Sequence, residues 1–284
     1  MENSEKIHYL KRKRKEKVFQ GLILIFSLMA VIPLFLVIGY VFIKGIKAIN
    51  WSFFTQLPTP VGEPGGGMAN AIVGSGMIVL LASLLGLPVG VMGGVWLALG
   101  GSGRLGFVIR YAADVLTSIP SIVVGIFAYT LLVYPFKRFS AIAGGFALAI
   151  IIIPNIIRTT EELIKMVPTT LRESALALGI PEWRVTLSVV LRTAWNGIFT
   201  GIILALARAA GETAPLLFTS FNNQFWNFKI DQPTASLTVQ IYNYAISPFA
   251  EWQEKAWAGS LVLIFLVLGI TLFVRKFSKK VTYV

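Results

Sequence analysis

Six long apolar runs alternate along the chain with short connections that carry most of its charge. They occupy residues 18–43, 69–99, about 107–134, 141–157, 189–218 and 256–274. A helix rises 1.5 Å per residue, and about 20 apolar residues cross a hydrocarbon layer roughly 30 Å thick. The pattern therefore predicts an all-α membrane protein with six transmembrane helices. The remaining segments follow as a basic tail (1–17), a loop (44–68), a core (69–274) and a second tail (275–284). Within the core lie a polar loop at 158–192 and a longer polar and aromatic segment at 219–255. The first run is too long for a signal-peptide core and no A-x-A site follows it, so it is expected to remain as a span. The second is rich in glycine (Gly74, Gly76, Gly86, Gly90, Gly93, Gly94), which lets helices approach closely in lipid. Pro88 is expected to kink it. Arg110 and Asp114, four residues apart at one end of the third run, are expected to pair on one face.

The placement of charge orients these spans. With both termini on the same side, that side collects 18 of the 25 Lys and Arg residues, and the opposite loops collect six. The positive-inside rule then places both ends in the cytoplasm of a cell-membrane protein. Trp51, Trp252 and Trp257 fall near the outer interface and Trp195 near the inner one. The net charge of +12 could suggest nucleic acid, but the charges lie at the ends of apolar runs and not along a groove-binding face, so no nucleic acid is expected. Hydrophobic residues make up 56% and charged residues 13%, half the charged share of a typical soluble domain, about 25%. There is no Cys, and the one His is His8. Thiolate chemistry, His-based catalysis and His-rich metal sites are thereby removed, and no metal site is expected. Gly65 to Gly67 lack both a preceding strand and a following Gly-Lys-Ser/Thr, so they read as a flexible loop and not as a phosphate cradle.

The loop at 158–192 holds the sharpest local signals. Thr170 followed by Glu173 is a capping box, and Pro168 stops whatever precedes it, so a helix is expected to start at Thr170. Leu171, Ala175 and Leu178 give it one apolar face. Gly179 ends it, and Pro181 opens the next helix. Such a helix is shaped to dock into a partner; a helix lying on lipid headgroups is the plainer reading. The pattern Glu173-Ser174-Ala175-x3-Gly179-x9-Val189-x-Leu191 resembles the EAA loop of ABC importer permeases, with Ser174 in place of the middle Ala and Arg192 in place of the final Pro. The resemblance implies a type I ABC importer permease fold. Its coupling helix, here Thr170, Arg172, Glu173, Ser174, Ala175, Leu178 and Gly179, would insert into a cleft on an ATPase.

A second charged feature lies inside the fifth run, in LALARAAGETAPLLFT. Arg208 and Glu212 are spaced to share a helix face and pair. Arg208 lies about 24 Å of helix beyond Arg192, deep in the bilayer. Pro215 is expected to bend or end the helix. One reading is an ion pair that locks two helices. The other is an anion path, since intramembrane charge is functional by default: Arg208 would fork onto a tetrahedral oxyanion, Glu212 would keep it from binding too tightly, and Thr213 would add a hydroxyl. The segments PSIVVGIF (120–127), PNIIRTTEELIKMVPTTLRESALALG (154–179) and RAAGETAPLLFT (208–219) together resemble the PstA-type permeases of phosphate ABC importers, over roughly residues 65–275. That resemblance implies a second homologous permease (PstC-type), a dimer of ATPase subunits (PstB-type) that binds MgATP, and an external phosphate-binding protein (PstS-type). The chain itself has no G-x-x-x-x-G-K-[ST], binds no cofactor of its own on this reading, and is expected to be a transport subunit and not an enzyme.

Three alternatives stand beside this reading. A permease for sulfate or molybdate would match a lone arginine equally well. A secondary anion transporter would show internal repeats, and none is evident between residues 18–134 and 141–274. An intramembrane enzyme would need paired carboxylates, but Asp114 and Glu212 fall on opposite sides of the membrane. The outer segment 221–248 is a candidate receptor-facing surface, although packing on its own spans would also explain its aromatics.

Overall fold

The computed structural model describes residues 2–63 and 65–278. Lys279 and Lys280, half of the basic C-terminal anchor, lie outside the described residues. Every regular element among the described residues is helical. In chain order they are α1 (Glu2–Gly45), α2 (Trp51–Thr55), α3 (Ala69–Leu99), α4 (Arg104–Ser118), α5 (Ser121–Phe136), α6 (Ala141–Lys165), α7 (Thr169–Ala177), α8 (Glu182–Ala210), α9 (Ala214–Thr219), α10 (Leu237–Ala245) and α11 (Ala250–Ser278). Five helices are long and apolar enough to cross a membrane alone, and α4 with α5 is a bent apolar pair that brings the number to six when it is counted as one broken span. The face of the bundle that carries the N-terminus and α7 is called the basic face below.

The centre of the bundle is α3 lying along α6. Gly86, Gly90 and Gly94 recur every fourth residue and so line one side of α3. They meet Ile152, Ile156 and Thr160, which have the same spacing on α6. A Cβ on any of the three would come within 2.5–2.8 Å of those side chains. Hydrocarbon is as apolar as a leucine side chain, so close contact and not escape from water holds these helices together. Ser140 starts α6 by accepting a hydrogen bond from the Ala143 amide at 3.1 Å. Around this pair, Ile78, Leu148, Ile152, Ile156 and Ile198 form the most deeply buried layer. By contrast, α1 is exposed along nearly its whole apolar length. It joins the bundle at its far end, where Tyr40 meets Trp257 edge-on at 5.2 Å. A run this apolar with no protein around it has lipid as its solvent.

Four expectations about the spans are corrected. The third is not one helix: it breaks at Ile119–Pro120, and its halves diverge by 104°. Proline forces the residue before it out of helical geometry, and Ile119 is extended at ψ 131°. The fourth runs past residue 157 to Lys165, so the start of the polar loop is helix. The fifth begins earlier, at Glu182, and passes through a π-helical turn at Thr186–Val190. It also stops earlier than Phe218, at Ala210, and only the short α9 follows. At Pro88, where a kink is expected, α3 continues as helix.

The segment 219–255 is not a simple external loop. Residues 234–240 are all buried, including Thr234, Ser236, Thr238 and Gln240. The Ala235 carbonyl lies so close to Gly74 that a Cβ there would sit 2.0 Å from it. Ser75 accepts a hydrogen bond from the Leu237 amide at 2.7 Å. Asn70 donates to the Asn223 carbonyl at 2.5 Å. The stretch thus folds back into the end of the bundle, where the Leu237 amide and the Thr234, Ser236 and Thr238 hydroxyls find protein partners in place of water.

Candidate functional site

Helix α7 sits on the basic face between two prolines. Its N-cap is Pro168, extended at ψ 131°, with no side-chain cap. The Pro168 carbonyl accepts from the Leu171 amide at 3.1 Å. The capping box expected at Thr170 and Glu173 is therefore not formed. The helix has already begun at Thr169, because Pro168 supplies the extended residue that an N-cap requires. Gly179 does end the helix. It adopts φ 75°, and its amide donates to the Leu176 carbonyl at 2.9 Å. Pro181 caps α8, as expected.

The apolar face predicted for α7 is divided. Ala175 is buried, whereas Leu171 is 45% and Leu178 81% exposed. Leu176, Met166 and Trp183 are exposed beside them. The Arg184 guanidinium lies 5.2 Å from the centre of the Trp183 ring. Arg172 is turned away from this surface and pairs with Glu182, tying α7 to the start of α8. Glu173 and Ser174 are exposed and free to meet a partner. The result is a short, rigidly tethered helix with large apolar side chains uncovered around it, which is how docking surfaces differ from ordinary protein surface.

At the other end of α8 the structure gathers Arg208, Glu212 and Thr213, but not as a pair on one helix. Arg208 occupies the last turn of α8 and is exposed. The helix ends at Ala210, so Glu212 and Thr213 lie in the break before α9, both half-buried. Among the described residues Arg208 forms no ion pair with Glu212. The i,i+4 rule needs continuous helix across both residues, and Gly211 ends it between them. The Glu212 carbonyl instead accepts from Thr238 Oγ1 at 2.9 Å, which fixes the break against α10. Pro215 is packed on α5, where a Cβ on Gly125 would come 2.6 Å from its Cα. The carbonyls at the end of α8 favour a positive charge at Arg208.

A third cluster was missed by sequence reasoning. Glu161 on α6 has a side chain only 2% exposed and meets three cations: Arg110 at 2.6 Å, Lys165 at 2.5 Å and Arg158 at 3.3 Å. Arg110 also donates to the carbonyls of Leu97 at 2.9 Å and Gly101 at 3.0 Å. Asp114, expected to pair with Arg110, pairs with Arg158 at 3.0 Å. Both residues of the expected pair reach across to α6: Arg110 to the buried, multiply bonded Glu161, and Asp114 to the more exposed Arg158. The signal was present in RTTEELIK: Glu161 lies three residues after Arg158 and four before Lys165.

The fold and these features define a class, that of multi-pass permeases built on the type I ABC importer plan. The inward-facing MetNI methionine ABC transporter shares the fold, with a TM-score of 0.59 at 19% identity, over 75% of this chain and 93% of that one. The chain belongs to the family of binding-protein-dependent transport system inner membrane components, whose family model matches residues 90–283. It is 49% identical to the phosphate transport system permease protein PstA of Yersinia pestis, over 84% of this chain and 81% of that protein. It is 41% identical to PstA of Haemophilus influenzae over 98% of both chains. The probable PstA of Methanocaldococcus jannaschii is 34% identical over 94% of this chain and 95% of that protein.

Proposed function

We propose that this chain is the membrane-spanning permease subunit of an ATP-driven phosphate importer, with α7 as the helix that engages the ATPase. The observation that carries the reading is α7 itself: a short helix clamped by Gly179 and by the Arg172–Glu182 pair, with Leu171, Leu176, Leu178 and Trp183 left uncovered. The chain is a transport component and not an enzyme, and it works with other subunits of the importer. On this reading they are a second, homologous permease, an ATPase dimer that binds MgATP, and an external phosphate-binding protein. The balance of basic residues supports cytoplasmic termini.

Arg208, Glu212 and Thr213 are assigned to the phosphate path. An exposed guanidinium with no carboxylate partner can give two parallel hydrogen bonds to a phosphate dianion. Glu212, close in sequence but unpaired with it, would limit how long the anion stays. The exposed aromatics Phe225, Trp226 and Phe228, on the face opposite α7, are assigned to contact with the binding protein.

The test uses proteoliposomes containing this chain with its neighbouring permease and ATPase, and follows labelled phosphate uptake driven by ATP. Arg208→Gln is expected to abolish uptake in an assembled complex. Glu173→Lys is expected to release the ATPase. Full uptake in both variants would overturn both assignments. Equal uptake of sulfate or molybdate would overturn phosphate as the substrate.

A further inference from the structure

We infer that Glu161 is a positioning residue for transport: it fastens the near half of the broken third span to the helix that leads into α7, so that movement of the docking helix reaches the break at Ile119–Pro120. The inference rests on the proposed role of α7.

Three helices meet at the Arg110–Glu161 pair. Glu161 belongs to α6, and its nearly buried side chain holds Arg110 of α4 at 2.6 Å. Arg110 in turn donates to Leu97 on α3 and to Gly101 just beyond it, at 2.9 and 3.0 Å. A guanidinium bonded through all three of its nitrogens fixes direction as well as distance. Arg158, one turn earlier on α6, adds a second tie to α4 by gripping Asp114 at 3.0 Å. The ends of α3, α4 and α6 on the basic face are therefore joined as one body. Helix α6 ends at Lys165, itself bonded to Glu161, and α7 begins four residues later at Thr169.

The far half of the span also packs on α6, but its more extensive attachment is to α9. Helix α5 packs on α9, with Gly125 against Pro215, beside the break that follows Arg208. The span thus has one half tied to the docking side and the other tied to the proposed phosphate path, with a 104° bend between them. A displacement of α7 is delivered to the α4 side of that bend while α4 follows α6. Without the Glu161 carboxylate, Arg110 and Lys165 lose their ion-pair partner and Arg158 keeps only Asp114. Repulsion among these cations would part α4 from α6.

The experiment measures phosphate moved per ATP hydrolysed in reconstituted complexes. Glu161→Gln is expected to assemble and to hydrolyse ATP, with that ratio falling about tenfold, within the usual range of coupling between sites. The chain has no cysteine, so cysteines can be placed at Asp114 and Arg158 of the Glu161→Gln variant and joined by a short bismaleimide. Restored coupling after joining α4 to α6 is the expected result. A purely structural role would lower stability and leave the ratio among surviving complexes unchanged, which would overturn the inference. If Glu161→Gln does not assemble, Arg110→Lys decides: it keeps the charge and loses the fork to Leu97 and Gly101, so the ratio is again expected to fall, and an unchanged ratio refutes the proposal. Failure of the unaltered chain to bind the ATPase at all would refute the role of α7 instead.

Discussion

Replacing Gly94 by alanine isolates the contact between α3 and α6. The new Cβ would lie 2.5 Å from Thr160 Cβ, 2.7 Å from the Ile157 carbonyl oxygen and 2.9 Å from Thr160 Cγ2, where ordinary contact begins at 3.4 Å. One obstacle is backbone and cannot rotate away, so the helices must separate by something approaching 1 Å. Overpacking of this kind costs about 1–3 kcal/mol, partly offset by the gain of up to about 1 kcal/mol that alanine brings to a helix. Gly76 lies on the same helix with nothing within 4 Å of an added Cβ, and Gly76→Ala carries only that helical gain. The two variants should therefore differ by about 2 kcal/mol, or roughly 4–8 °C in thermal midpoint for a protein of this size. Heating purified protein in detergent and following loss of the monodisperse species reads that difference directly. Equal midpoints for Gly94→Ala and Gly76→Ala would refute the account of α3 and α6 as a glycine-dependent close contact.

Leu178→Ser removes the exposed apolar side chain that caps the end of α7 and should weaken ATPase association about tenfold or more with the thermal midpoint unchanged, measured by pull-down against an ATPase titration. Gly179→Val places a branched side chain at φ 75°, which costs about 1–2 kcal/mol of backbone strain; ATPase association should fall although a Cβ there meets nothing within 4 Å, and Gly179→Asn should be milder. Arg208→Lys keeps the charge but loses the fork, so phosphate uptake should drop while remaining above that of Arg208→Gln; equal uptake by the two would show that charge alone is not what matters. The Arg138–Asp231 pair is exposed on both sides, so Arg138→Ala should move the midpoint by no more than about 1 kcal/mol allows, a few degrees at most.

The sequence by itself determined the features that depend on local chemistry. Hydropathy located five spans and the apolar run that became the bent α4–α5 pair, because whether about 20 residues prefer lipid is settled by their own side chains. Gly179 and Pro181 marked the end of α7 and the start of α8, because left-handed φ and a missing amide are properties of single residues. The Glu173–Gly179 spacing and the RAAGETAP run pointed to the family. Tertiary structure decided what depends on neighbours. Pro120 was visible in the chain, yet the apolar run continued through it, and only the packing of α4 on α6 and of α5 on α9 turned the break into a 104° bend. Arg110 and Asp114 had the right spacing to pair, but Glu161 and Arg158 on another helix took them as partners; the spacing in RTTEELIK showed that Glu161 could pair, and only the packing showed that it is buried. Arg208 and Glu212 were parted by one glycine. Thr234, Ser236, Thr238 and Gln240 read as an outer loop by composition and became interior because α3 offers glycine and hydroxyl surface against which their backbone can close. Hydropathy and capping act within a few residues of sequence, whereas ion pairing and burial depend on which helices lie side by side.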